Sequence, residues 1–176
     1  MATKRTTQYT KPSTVKTEEV KEEAVKLVPK AFDINQIVTV RNGFQGKLVY
    51  KSSKTGELFV WDEFGDEQDM EVGELRSARS SAKDFFINNW FMFDDPELID
   101  YLGVAQYYRF ALTVDQFDEV FSLSDGELAK RLATLSDGQK KSVVYRAKQM
   151  IASGEIDSNK KIALLEKYLN VELIEH

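Results

Sequence analysis

From Ile37 to Val72 apolar residues recur with a period close to two, the signature of strands that bury one face. Ile37-Val38-Thr39-Val40-Arg41 is rich in β-branched residues and runs into Asn42-Gly43, a pair that tolerates the positive φ of a tight hairpin turn. Lys47 to Lys51 and Glu57 to Trp61 repeat the pattern around the polar turn Ser52 to Gly56, and Phe64-Gly65-Asp66 turns the chain into a fourth run, Glu67 to Val72. Four short strands with no room for crossover helices predict an antiparallel meander. Closing it would remove its sheet edges, so the expected form is a small SH3-like β-barrel or a curled meander. Leu75, Ala78 and Ala82 then predict a short helix across one mouth of that barrel. The aromatic run Phe85 to Phe93 reads as a closing strand and its exit, packed between barrel and helices. Its alternative reading is an aromatic patch for a partner, with Trp90 and Phe91 as the contact residues.

After residue 94 the period changes to 3.6. Asp95-Pro96 opens a helix with a capping carboxylate and Pro at the first helical position, and Leu98, Tyr101, Leu102, Ala105 and Tyr108 form its stripe. Three capping sequences follow, at Thr113, Ser124 and Ser136. They predict helices with Val114, Phe117, Val120 and Phe121 inward, then Leu128, Leu132 and Leu135, then Val143, Val144, Ala147, Met150 and Ile151. The last helix, from Asp157-Ser158, is apolar on two sides: Ile162, Leu165 and Leu169 on one, Leu164, Tyr168 and Val171 on the other. A helix of that kind is sandwiched in a core or shared with another chain, and the second face is assigned to a partner. Near the start, Val20, Ala24, Leu27 and Val28 form a single helical stripe that Pro29 ends. A helix of about 12 residues is marginal alone in water, so this stripe is also a candidate partner contact.

The predicted fold class is therefore α+β. A flexible arm with a short amphipathic helix occupies residues 1–32, a small β-barrel domain residues 33–94, and a helical domain residues 95–176.

Composition narrows the chemistry. The chain has 176 residues, no Cys and a single His, its last residue, which excludes a disulfide scaffold, a thiolate metal site and a cysteine nucleophile. No basic, apolar, small-residue leader opens it, so export by a classical signal peptide is not expected; nor is any apolar stretch long enough to span a membrane. The net charge of −5 is uneven: residues 1–30 carry +3, residues 31–95 carry −5 and residues 96–176 carry −3. A negative body disfavours nucleic acid, whose binding rests on phosphate neutralisation.

Two constellations still merit weighing. Asp62, Glu63, Asp66, Glu67, Asp69, Glu71 and Glu74 gather carboxylates that could attract a hard cation, but they match no calcium loop and read as a solvated acidic rim. The hairpin at 124–151 imitates a helix-turn-helix whose second helix would present Gln139, Lys140, Lys141, Ser142 and Arg146 to DNA. Its positive charge is not concentrated on one side, and Asp137 stands where a phosphate contact would be needed. A nucleic-acid-binding regulator is thus the alternative function. No catalytic, cofactor or metal residues are assigned, and no small-molecule substrate is expected.

The runs Val38 to Tyr50, Gly56 to Trp61 and Phe85 to Trp90, continued by Leu135-Ser136-Asp137-Gly138-Gln139-Lys140-Lys141-Ser142, resemble uncharacterised virion-associated proteins of large tailed bacteriophages. That resemblance covers most of the chain after residue 33 and carries no catalytic signature. It implies a non-enzymatic structural or assembly protein of the neck, tail or baseplate, acting as an adaptor. Its partners would be other virion proteins in a homo-oligomeric ring or hetero-assembly. Its location would be the virion, and the host cytoplasm during assembly.

Overall fold

The computed structural model describes residues 31–174. Val20, Ala24, Leu27 and Val28 lie outside them. Five strands and seven helices follow in order: β1 (Ile37–Asn42), β2 (Leu48–Lys51), β3 (Leu58–Trp61), β4 (Glu67–Glu71), α1 (Val72–Ser81), α2 (Asp84–Ile87), β5 (Phe91–Met92), α3 (Pro96–Leu102), α4 (Ala105–Tyr108), α5 (Asp125–Thr134), α6 (Asp137–Ala152) and α7 (Asn159–Leu169). The α+β class holds, with small antiparallel sheets ahead of a helical region. A closed barrel is absent from the described residues, where the strands form a three-stranded sheet ordered β4-β1-β5 and a separate β2-β3 pair.

The reason lies at Asn42-Gly43. No hairpin forms there; β1 pairs instead with β4, Ile37 opposite Glu71, and with β5, Arg41 opposite Met92. Asn42 is fully buried, its Nδ2 donating to the carbonyls of Gly46 and Glu63 while its Oδ1 accepts from Phe44 N. The side chain thus folds the 43–47 connection away from β1, so that β2 meets β3 and not β1. Gly43 is required for space and not for φ: a Cβ there would lie 2.1 Å from the Asn89 carbonyl oxygen. Between β3 and β4 a side chain stands in for a ladder bond, Gln68 Nε2 donating to the Val60 carbonyl at 2.8 Å.

One core lies under these strands. Trp61 is fully buried and donates its indole N–H to the Val40 carbonyl, and Phe91 packs against Trp61, Tyr50, Phe85 and Phe86. Aromatic pairs in tilted and edge-on contact contribute about 0.5–1.5 kcal/mol beyond the area they bury. Leu98, Leu102 and Val104 belong to this same core, so α3 and α4 pack with the sheets and not with the later helices. The second core begins at Leu112 and joins Phe117, Val120, Leu128, Leu132, Val143, Leu165 and their neighbours. Among the residues after 94, those up to Tyr108 pack with the first core and those from Leu112 with the second.

Helix starts follow their caps. Asp95 accepts from Glu97 N, Ser136 from Gln139 N and Ser158 from Lys161 N. The predicted helix at 113–121 is instead a run of turns closing in a 3-10 turn, Glu119–Ser122, although the Thr113 and Gln116 pair exchanges its reciprocal bonds. Phe85 to Phe93 likewise splits into α2, a turn and the two residues of β5.

The lobes meet along α6. A Cβ on Gly138 would lie 2.3 Å from the Asn88 carbonyl oxygen, Ser142 Oγ donates to the Gly43 carbonyl, and Phe64 packs on Phe117 at 4.5 Å between ring centres. Gln139 clamps the linker between lobes, its Oε1 accepting from Leu112 N at 2.9 Å and its Nε2 donating to Leu112 O at 2.8 Å.

Candidate interaction surface

The acidic turn is occupied by its own bonds. Asp66 Oδ2 accepts from the backbone of both Asp62 and Glu63, Asp62 pairs with Lys47, Glu67 with Arg41, and Asp69 accepts from Thr39. Glu74 is buried on α1 and accepts from the Tyr50 hydroxyl at 2.6 Å. Burial, and then that bond to Glu74, push the Tyr50 hydroxyl pKa far above its ordinary value. Among the described residues no group of three His, Cys, Asp or Glu is placed to hold a metal ion.

The face of α6 that the sequence offers to DNA is turned inward at its start. Gln139 and Ser142 are buried, and Arg146 makes a two-point pair with Asp118 that raises its guanidinium pKa. Lys140 is half-buried and Lys141 exposed. A helix whose N-terminal turn is pressed against Asn88 cannot insert that turn into a major groove without separating the lobes.

The predicted partner residues that are described fall into three groups by exposure. Phe91 is fully buried, and its assignment as a contact is corrected: the ring is the centre of the first core. Trp90 is half-buried in edge contacts with Phe44 and Phe85. Leu164 is half-buried and packs against the second core. Tyr168 stands outward on α7, opposite the buried Ile162, Leu165 and Leu169; Val171 is exposed to the same 37 % but lies past the helix, which stops short of it at a left-handed Asn170.

A further apolar face comes from the β2-β3 ribbon. Leu48, Tyr50 and Trp61 point into the core, while Val49 and Leu58, 46 % and 59 % exposed, lie on the outer side with Lys51 and Val60. The alternation of Lys47 to Lys51 and Glu57 to Trp61 carried this signal, because a ribbon with Val and Leu out of phase with its core residues is apolar on both faces.

Two larger concavities also mark the surface. A cleft of about 610 Å³ between the lobes is lined by Asp62, Glu63, Phe64, Asp118, Tyr145 and Arg146 among others. A second, of about 560 Å³, lies on α1 and is lined by Lys54, Arg76 and Arg79 with Ile34 and Tyr101. No helix of the described residues is long and apolar enough to cross a membrane.

Comparison with protein families, curated proteins and solved structures finds no match.

Proposed function

We propose that the chain is a non-enzymatic structural or assembly protein, an adaptor that works through contacts with other polypeptides in the neck, tail or baseplate of a tailed-phage virion. One observation carries this reading. Val49 and Leu58 on the β2-β3 ribbon, and Tyr168 on α7 with Val171 just past its end, are exposed on or beside elements whose opposite faces form the two cores. Each lobe thereby holds an apolar face on a rigid support, and apolar faces on rigid supports are what protein partners bury. The inward turn of Gln139 and Ser142 supports contact with protein over contact with DNA. Virion placement rests on the resemblance of Val38 to Tyr50 and its companion runs to proteins of large tailed phages.

The test is incorporation. The chain should co-sediment with purified particles at a fixed ratio. Leu58→Asp and Tyr168→Asp should lower that ratio while leaving the circular dichroism and the unfolding midpoint of the free chain unchanged. Particles that lack the chain, or that take up both variants normally, would overturn the proposal.

A further inference from the structure

The groove on α1 gathers positive charge on a molecule whose net charge is −5. Lys54, Arg76 and Arg79 surround it, Ser77 and Ser80 lie between them, and Ile34, 52 % exposed, forms an apolar wall with Tyr101. Arg79 is partly engaged, Nη1 donating to the Leu102 carbonyl at 2.7 Å. Lys54 and Arg76 have no ion-pair partner among the described residues. Arg76 and Arg79 are three apart on one helix, where like charges repel, so an anionic occupant relieves a strain that the groove carries by itself.

The root of the N-terminal segment lies at the rim of this groove. The Phe32 ring packs 5.1 Å from that of Tyr101, and the Ile34 carbonyl accepts from Gly73 N at the start of α1. Val28 is four residues before Phe32, a span of at most about 14 Å for extended chain. The sequence that ends at Val28 has the complementary pattern: in helical projection Glu19 and Glu23, one turn apart, flank the stripe of Val20, Ala24 and Leu27. Tethering this closely gives an effective concentration in the millimolar range, enough for a contact too weak to form between free molecules.

We propose that the α1 groove seats the chain's own acidic segment, residues 17–28. The apolar stripe of Val20, Ala24 and Leu27 matches the apolar wall of Ile34 and Tyr101, and the charges of Glu19 and Glu23 are opposite to those of Arg76 and Lys54. The proposal goes beyond the adaptor reading and stands or falls independently of it. Where the same segment also clasps a neighbour, that neighbour competes with the groove for it.

The chain of 176 residues has no Cys, so a nitroxide on Ser80→Cys reports on the groove alone. Amide signals of residues 17–28 should broaden in the chain that carries the label. They should stay sharp when an isotope-labelled, nitroxide-free chain is mixed with an equal amount of nitroxide-bearing chain without isotope. Lys54→Glu with Arg76→Glu, both at exposed positions, should reduce the bound population about tenfold by turning attractions into repulsions, as should high salt. The signals of residues 31–174 should remain in place in that variant, which shows that the fold is intact. Broadening indifferent to charge reversal would overturn the proposal, since short tethering alone then explains it. So would broadening in the mixture, which would assign the groove to a second copy, or no broadening beyond that produced by a nitroxide on Glu166→Cys.

Discussion

Gly138 sits so close to Asn88 that any side chain at 138 would meet the Asn88 carbonyl oxygen at 2.3 Å and its Cα at 2.7 Å. This is backbone against backbone, which cannot yield as a flexible side chain can. Gly138→Ala should therefore cost about 1–3 kcal/mol in denaturant unfolding, the range of overpacked cores. Gly126→Ala, in α5 with nothing within 4 Å, should be neutral or gain up to about 1 kcal/mol. Equal effects at the two positions would mean that the lobes are not packed as described.

Gln139 answers both backbone groups of Leu112, and all of these groups are buried. Gln139→Leu keeps the volume but strands an N–H and a C=O. Each stranded group costs about 1–3 kcal/mol, so urea unfolding should show a loss at the upper end of single substitutions. Hydrogen exchange at Leu112 should accelerate in the same variant, well before exchange in the middle of α7.

Alkaline pH should unfold the chain through Tyr50 and Tyr108. Burial raises the pKa of both, and the Tyr108 hydroxyl donates to the Phe91 carbonyl at 2.7 Å. Their ordinary value is 10.0, so above it the unfolded chain releases protons that the folded chain retains. Stability is accordingly complete below pH 10 and falls as pH rises toward the raised folded values. Absorbance titration should show both phenols ionising only with the unfolding transition. In Tyr108→Phe the alkaline slope should be shallower, although the unfolding midpoint at neutral pH drops with the lost bond.

Phe91 and Tyr168 separate core from contact surface. Phe91→Ala should cost about 3–5 kcal/mol in the free chain, as truncated buried aromatics do. Tyr168→Ala should stay within about 0.5 kcal/mol of the parent. Thermal melts of the two variants, measured without any partner, check this directly.

Much of the local chemistry was legible in the sequence, though the capping pattern at Thr113 opens only turns and Ser124 bonds Glu127 and no backbone N–H. Asp95, Ser136 and Ser158 cap the helices they open, and the stripes of α5, α6 and α7 bury Leu128, Val143 and Leu165 as their spacing requires. Distant partners were not legible. Asn42-Gly43 has the composition of a hairpin turn, yet Asn42 binds Glu63 and Gly43 is fitted to Asn89, contacts that no local pattern announces. The same holds for β1, whose neighbours are β4 and β5 because Asn42 turns the following connection aside. Of the candidate surface, the exposure of Tyr168 follows from the two-sided pattern of α7, whereas Val171 lies past the left-handed Asn170 that ends the helix, which the pattern does not announce. For Phe91 the packed and the partner-facing readings stay open in sequence, because an aromatic run looks the same whether it covers a core or faces a partner.

The bond from Ser142 to Gly43 joins positions 99 apart in the sequence. Its acceptor sits in a loop held by Asn42 and by the Trp90 carbonyl, which receives Gly43 N at 2.8 Å. That loop takes shape only once β1 and β5 have found each other. As the chain emerges from the ribosome, the first lobe can thus be complete before α6 exists, and the late-made helix arrives to a berth already cut for it.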